Sequence, residues 1–67
     1  MNNHQPTWLS TEDVADRYGV PVGTVRKWRA TGTGPTGVRL GRHVRYALTS
    51  CEEWEREQVA KQVRASA

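Results

Sequence analysis

The stretch LSTEDVADRYGVPVGTVRKW, residues 9–28, carries the signals for two short helices and the turn between them. Ser10 and Asp13 stand at capping-box spacing, with Asp in place of the usual Glu or Gln, so a first helix is predicted to begin here. Its apolar residues share one face: Val14, Ala15 and Tyr18. Gly19 is well placed to end the helix in the left-handed conformation.

A second helix is predicted after Pro21, a residue that is tolerated only at or before the first helical turn. It runs from about Val22 to Thr31, and strong breakers follow it: Gly32, Thr33, Gly34 and Pro35. Two short helices joined by a turn of about three or four residues predict a helix-turn-helix, whose second helix usually reads the DNA major groove.

Projection at about 100° per residue gives the second helix a buried side, defined by Val25 and Trp28, and an exposed stripe. The stripe consists of Gly23, Arg26, Lys27 and Ala30, with Thr24 and Arg29 on its flanks. Its small residues would let the backbone approach a bulky partner closely, while its two cations reach phosphates or guanine edges. The alternative for Gly23 is simply a poor helix position, which costs about 0.5–1 kcal/mol relative to Ala.

The charges divide the chain into a basic centre and acidic flanks. The net charge is +3, but residues 18–51 contain no acid. We call the cations of this stretch the basic centre: Arg26, Lys27, Arg29, Arg39, Arg42 and Arg45. The pattern predicts a surface for a polyanion, and the alternative is a solvated basic face. The polyanion hypothesis requires the six cations to lie on one side of the folded molecule.

The segment VRLGRHVRY, residues 38–46, predicts a β-hairpin, because apolar and basic residues alternate around a glycine. If all its apolar residues share one face, Leu40 opposes Val44 across the loop 41–43, and Arg39 lies opposite Arg45. Like charges across a ladder are destabilising. Two more basic side chains, Arg42 and His43, would stand at the tip. We expect a phosphate backbone to offset this repulsion; the alternative is screening by salt and by Glu residues from elsewhere in the fold.

A last helix is predicted from Thr49, which stands at capping-box spacing from Glu52. Its apolar face carries Cys51 and Trp54, and Cys51 is most simply a small core residue. Two further apolar residues, Val59 and Val63, form a thin second stripe. The sequence leaves open whether that end frays in a monomer or docks on a neighbour.

One small domain is expected, because a chain of 67 residues buries only about 60% of the surface of its unfolded form. The residues that form the core would also have to form any catalytic cleft, so we expect a binding module and not an enzyme. The predicted fold is mainly α with a small β-hairpin: a winged helix-turn-helix with a two-stranded wing and a C-terminal helix. We expect a flexible tail over 1–7, the DNA-binding domain over 8–58, and a helix end or tail over 59–67.

A cytoplasmic protein is expected, because no apolar run approaches the roughly 20 residues of a membrane span and MNNHQPTW lacks a signal-peptide pattern. Cys51 is the only cysteine, so no internal disulfide can form. His4 and His43 are far apart, so no zinc spacing exists. We expect no metal, no cofactor and no membrane partner.

In order along the chain, LSTEDVADRYGVPVGTVRKW, GTGP, VRLGRHVRY and TSCEEW resemble the small MerR-like winged helix-turn-helix proteins of the excisionase family. The resemblance covers about residues 8–55. Its most specific parts are V-A-x-x-x-G-V-x-x-x-T-V-x-x-W, from Val14 to Trp28, and L-G-R-x-V-R-Y in the wing. The resemblance implies that the second helix enters the major groove and that the wing follows the adjacent minor groove or backbone.

The resemblance also implies a role. Phage excisionases bind repeated sites in attachment DNA, bend it, and help a tyrosine integrase to excise the prophage. By position, the groove-facing residues are Gly23, Thr24, Arg26 and Lys27, and the wing contacts are Arg39, Arg42 and Arg45. Pro21 departs from the usual Ser or Thr cap, which is worth about 0.5–2 kcal/mol. Val22 and Gly23 replace common polar or basic residues, which favours DNA-shape readout over base contacts.

Three functions fit the sequence. The leading hypothesis is an architectural DNA-binding protein, partnered by attachment-site DNA, by neighbouring copies of itself and by the integrase; the expected lack of an effector domain favours it. The alternative with the same fold is a small transcriptional regulator. The alternative from another class is an adaptor that places its basic face on an acidic protein.

Overall fold

A computed structural model describes residues 7–66. Its elements in chain order are β1 (Trp8–Leu9), α1 (Thr11–Tyr18), α2 (Val22–Thr31), β2 (Gly37–Leu40), β3 (His43–Ala47) and α3 (Leu48–Ser66). The strands form an antiparallel sheet of order β1-β3-β2. The predicted mainly helical, winged helix-turn-helix architecture is confirmed, with a third strand that the sequence analysis did not predict. Residues 1–6 of the predicted tail, with His4, lie outside the described residues.

Both caps predicted for α1 are present. The Ser10 hydroxyl accepts a hydrogen bond from the Asp13 N–H at 3.0 Å, and the Asp13 carboxylate accepts one from the Ser10 N–H at 3.0 Å. Gly19 ends the helix with φ 65°, a conformation that glycine adopts without steric cost. The helix bounds therefore follow from interactions among residues close in sequence.

The bounds of α2 also agree with the prediction. Pro21 precedes the helix and makes no side-chain cap bond, although its carbonyl accepts from the Thr24 N–H at 2.9 Å. At the other end Gly32 has φ 70°, and the following Thr33 N–H donates to the Trp28 carbonyl at 2.9 Å. Proline thus begins this helix through its fixed φ and not through a capping hydroxyl.

The core lies where α1, α2, β3 and the start of α3 meet. Its buried residues are between 0 and 3% exposed: Val14, Ala15, Val25, Tyr46 and Cys51. The prediction that Cys51 is a small core residue is confirmed. Beside this core an aromatic cluster of Tyr18, Trp28 and Trp54 has neighbouring ring centroids 5.2–6.0 Å apart. The aromatic cluster joins both helices of the helix-turn-helix to α3.

An ion pair also joins α1 to α3. The Arg17 guanidinium donates two hydrogen bonds to the Glu55 carboxylate, and the Tyr18 hydroxyl donates a third at 2.7 Å. The bonds from Arg17, followed by the bond from Tyr18, hold the pKa of Glu55 below its usual range. This pair adds a polar contact between α1 and α3 next to the aromatic cluster.

The predicted hairpin register is wrong. The structure pairs Leu40 with His43 and Arg39 with Val44, across a two-residue turn at Gly41 and Arg42. Gly41 has φ 63° in this turn. Two-residue turns with positive φ are common in hairpins because their twist matches that of the strands. The predicted loop over 41–43 is one residue longer, and a change of one residue moves side chains to the opposite face.

The predicted start of the last helix is also wrong. α3 begins at Leu48, directly after β3, so Thr49 lies inside the helix. The Leu48 N–H donates to the Thr7 carbonyl at 2.9 Å, a bond from distant sequence that replaces a local cap. The helix then continues to Ser66, and 59–66 are helical. Among residues 7–66, no helix combines the length and apolarity needed to cross a bilayer.

Candidate nucleic-acid interface

The exposed stripe predicted for α2 is present. Gly23, Arg26, Lys27 and Ala30 are all exposed, while Val25 on the opposite side is 1% exposed. Of the flanking residues, Thr24 is half-buried and Arg29 is exposed. Val25 and Trp28 pack against the core, so the two long cations of the stripe and its two small residues, Gly23 and Ala30, face solvent.

The cations of the basic centre form no ion pair closer than 4.0 Å among residues 7–66, where the one such pair joins Arg17 to Glu55. The electrostatic field of the six cations therefore extends into solvent, where it can attract a polyanion.

The wing has two faces that differ in composition. Residues paired across the ladder share a face, so Arg39 lies with Val44 and Tyr46 on the face packed against the helices. Arg45 lies on the opposite, outer face with Val38. The predicted placement of Arg39 opposite Arg45 is thus wrong, and these two guanidinium groups do not repel each other across the ladder.

The cations of the wing tip are Arg39 and Arg42. Arg42 is exposed within the turn. The Arg39 Nε donates to the Gly41 carbonyl at 3.3 Å, which holds its stem along the hairpin end. Both side chains can meet an anion that passes the tip.

Arg45 has a different environment from the other wing cations. It is half-buried, and its Nη1 donates to the Val44 carbonyl at 2.8 Å. Hydrogen bonds with Ser10 are the main cause of the low pKa of Asp13, and the charge of Arg45 lowers it further. Arg45 therefore lies near the N-terminus of α1, on the outer face of the sheet. The expectation that all six cations lie on one side is wrong for Arg45, and the polyanion hypothesis depends on the other five.

The outer face of the sheet carries three exposed apolar side chains beside its basic ones. Trp8, Val38 and Leu40 are 44%, 39% and 47% exposed, and the ladder places all three on this face together with the exposed His43. The prediction that Val38 and Leu40 share one face with Val44 and Tyr46 is wrong, because the two-residue turn places them on the opposite face. Trp8 was not among the predicted site residues, and only its pairing with Ala47 in β3 places it here.

Arg29 lies at the boundary between α2 and the wing. Burial is the main cause of the raised pKa of Tyr46, and the positive charge of Arg29 opposes that shift. Arg29 is thus near the Tyr46 hydroxyl, at the base of the hairpin. The nine predicted DNA-binding residues occupy three places: the α2 stripe and its edges (Gly23, Thr24, Arg26, Lys27, Arg29), the wing tip (Arg39, Arg42), and the outer face of the sheet (His43, Arg45).

The described residues offer no cluster for metal chemistry. Within 7–66, no three His, Cys, Asp or Glu side chains come together in a way that could hold a metal ion. Burial raises the pKa of the Cys51 thiol, which favours its protonated form. The surface described above can bind an anion through fixed cations and exposed backbone.

Comparison with known proteins agrees with this geometry. No match was found among curated proteins. The family model described as a helix-turn-helix domain matches residues 8–59, which include both helices, the wing and the start of α3. Such families are typically non-enzymatic. The chain therefore belongs to the helix-turn-helix domain family, a DNA-binding family that includes excisionase-like proteins.

Proposed function

We propose that this protein is a sequence-specific, DNA-bending accessory factor that directs a phage tyrosine integrase towards prophage excision. The observation that carries the DNA contact is the exposed α2 stripe. There, Arg26 and Lys27 have no acidic partner within residues 7–66, and they lie between the small residues Gly23 and Ala30. Cations next to bare backbone suit a polyanion that approaches the helix closely.

In the proposed complex α2 lies in the major groove. The helix has 10 residues and is about 15 Å long. Its diameter, about 10–12 Å with side chains, fits a major groove about 12 Å wide. Arg26 reads a guanine edge with its two parallel donors, while Lys27 contacts a phosphate or a second guanine. The hydroxyl of Thr24, at the flank of the stripe, donates a hydrogen bond to a phosphate of the DNA backbone. With so few long side chains on the stripe, DNA shape supplies part of the specificity.

The wing supports DNA bending in this proposal. Arg39 and Arg42 at the tip contact the phosphates or the minor groove next to α2. His43 and Arg45 are on the outer face of the hairpin. A straight duplex that contacts α2 and the wing tip would therefore not contact these two residues. A duplex that also contacts these two residues must curve around the wing, and such bending costs on the order of 1–6 kcal/mol for 20–30 base pairs.

The far half of α3 supports contacts with other proteins on the DNA. Val59 and Val63 are 62% and 63% exposed and lie one helical turn apart. They form an apolar stripe on a segment that extends beyond the aromatic cluster. The excision role requires contacts with neighbouring copies on repeated sites and with the integrase. This apolar stripe is the surface proposed for those contacts.

Footprinting on attachment-site DNA, together with an in vitro excision assay, tests the role. The excision role predicts tandem, closely phased protected sites beside the integrase core site, and recombination that depends on the protein. A lone protected site over a promoter, with no effect on excision, would refute the role and identify a transcriptional regulator of the same fold.

A salt titration tests the DNA contact itself. If about five phosphates are neutralised, the logarithm of the affinity for duplex DNA should fall against the logarithm of the salt concentration with a slope of roughly −4 to −5. A flat response, or no binding, would refute the proposal and favour an adaptor that places its basic face on an acidic protein.

A further inference from the structure

Arg29 and the loop that follows α2 line a cavity at the base of the wing. Its volume is about 330 Å³, and its walls are Trp28, Arg29 and residues of the loop 32–37. We propose that this cavity binds one phosphate of the DNA backbone, with the Arg29 guanidinium as its principal ligand. The inference rests on the proposed DNA binding and adds a contact separate from the α2 stripe and the wing tip.

The charge of the cavity suits an anion. Among residues 7–66, Arg29 is the only charged residue in its lining. Arg29 is exposed, and within residues 7–66 it has no acidic partner closer than 4.0 Å. A guanidinium offers parallel N–H donors that match two phosphate oxygens, and such charge-assisted bonds are about twice as strong as neutral ones.

The position of the cavity suits the DNA backbone. Arg29 follows Arg26 by one helical turn, and Gly37, the first residue of β2, also lines the cavity. A phosphate held there lies between the helix and the wing. A strand that leaves the major groove at α2 and continues to the wing passes this point, so its backbone is the anion within reach.

Trp28 and Trp54 hold the loop 32–37 in place, so the cavity is formed before any ligand binds. The Trp54 Nε1 donates to the Thr33 carbonyl at 2.9 Å, and Pro35 is buried. Gly34 packs so closely on Trp28 that an added Cβ would lie 2.7 Å from the Trp28 Cβ. A preorganised site loses little conformational entropy on binding. These contacts give the aromatic cluster a second role, in positioning the loop for DNA.

The test compares Arg29→Ala with Arg56→Ala, a matched loss of one exposed arginine on α3. Affinities for a target duplex and a scrambled duplex are measured by fluorescence anisotropy at several salt concentrations. Arg29→Ala should weaken both duplexes equally, by about 10-fold, and make the salt slope shallower by about 0.9, the value for one phosphate. Arg56→Ala should change both quantities much less, and Arg29→Lys should restore the slope with part of the affinity.

The possible outcomes separate this inference from the proposed function. Wild-type protein that binds no duplex overturns both. Wild-type binding with equal effects of Arg29→Ala and Arg56→Ala overturns only the phosphate contact. An affinity loss confined to the target duplex also overturns it, because Arg29 would then read bases. Equal thermal unfolding of the two variants and wild type is expected, since both side chains are exposed.

A free anion could satisfy the same chemistry, and a second measurement distinguishes it from the duplex. Orthophosphate is titrated while the backbone amide signals of Gly34 and Gly37 are followed by NMR. Weak orthophosphate binding, with the orthophosphate displaced by the target duplex, supports a site for a phosphate of the DNA backbone. Tight orthophosphate binding, combined with an unchanged salt slope in Arg29→Ala, would assign the cavity to a free anion and overturn the inference.

Discussion

Replacing Gly23 by alanine should stabilise the fold and weaken DNA binding at the same time. Gly23 is the second residue of α2, and an added Cβ would meet no atom within 4 Å. Its φ is not positive, so alanine fits the backbone without strain. A Gly to Ala change inside a helix is worth about 0.5–1 kcal/mol, and we expect the lower end near the helix start. For a domain of this size that gain raises Tm by about 2–8 °C.

The same methyl group points to the space that the proposed complex fills with DNA. If the backbone approaches the duplex closely at Gly23, the added atom causes overpacking, which costs about 1–3 kcal/mol in tight contacts. Affinity should therefore fall about 5- to 150-fold. Thermal unfolding followed by circular dichroism and DNA titration followed by anisotropy measure the two effects on one preparation.

Gly37→Ala provides the contrast. An added Cβ on Gly37 would lie 2.8 Å from the buried ring of Tyr46, so this variant should lose about 1–3 kcal/mol of folding free energy. Unchanged DNA affinity in a stabilised Gly23→Ala would show that Gly23 does not serve close approach. A lower Tm in Gly23→Ala would refute the account of its packing.

Three further predictions concern single side chains. Arg26→Ala should cost about 1–3 kcal/mol of DNA affinity and relax base preference, whereas Arg42→Ala should weaken all sequences alike; competition binding with mutated sites measures both, and the reverse pattern would exchange their roles. The buried Tyr46 hydroxyl has no hydrogen-bond partner among the described residues, so Tyr46→Phe should leave the free energy of unfolding unchanged or raise it. A loss above about 1 kcal/mol in urea unfolding would show that the hydroxyl is paired. Because the pKa of Glu55 is lowered in the folded state, its contribution is present above its unfolded pKa of about 4.3 and is lost as pH falls through the folded pKa. Glu55→Gln should therefore flatten the acid limb of stability against pH, by about 0.2–1 kcal/mol for a pair this exposed, and an unaltered limb contradicts the pairing with Arg17.

The helix-turn-helix was predictable because its signals are local. The capping box of Ser10 and Asp13 and the C-terminal glycines Gly19 and Gly32 act within one or two turns of their own helix. The exposed stripe of α2 followed from helical periodicity once Val25 was assigned to the core. Each of these inferences needed only residues that are neighbours in sequence.

The wing was predicted as an element, but its faces were not. Alternation of apolar and basic residues indicated a hairpin around Gly41, and the structure contains one. Placing Val38 and Leu40 on the same face as Val44 and Tyr46 required a three-residue loop, whereas the chain turns in two. The core contacts only the face of Tyr46 and Val44, and the two-residue turn places Val38 and Leu40 on the other face.

The sequence by itself thus determined α1, α2, their ends and the basic centre, since these depend on residue type and short spacing. Tertiary structure alone decided that Trp8 joins the sheet and that Arg45 faces away from Arg39. It also decided that α3 begins at Leu48, whose N–H donates to the Thr7 carbonyl. These features depend on pairing between distant segments, where a shift of one residue reverses every side chain of a strand. The candidate DNA-binding surface depends on both: residue type and short spacing supply the cations, and pairing between distant segments decides which face each of them occupies.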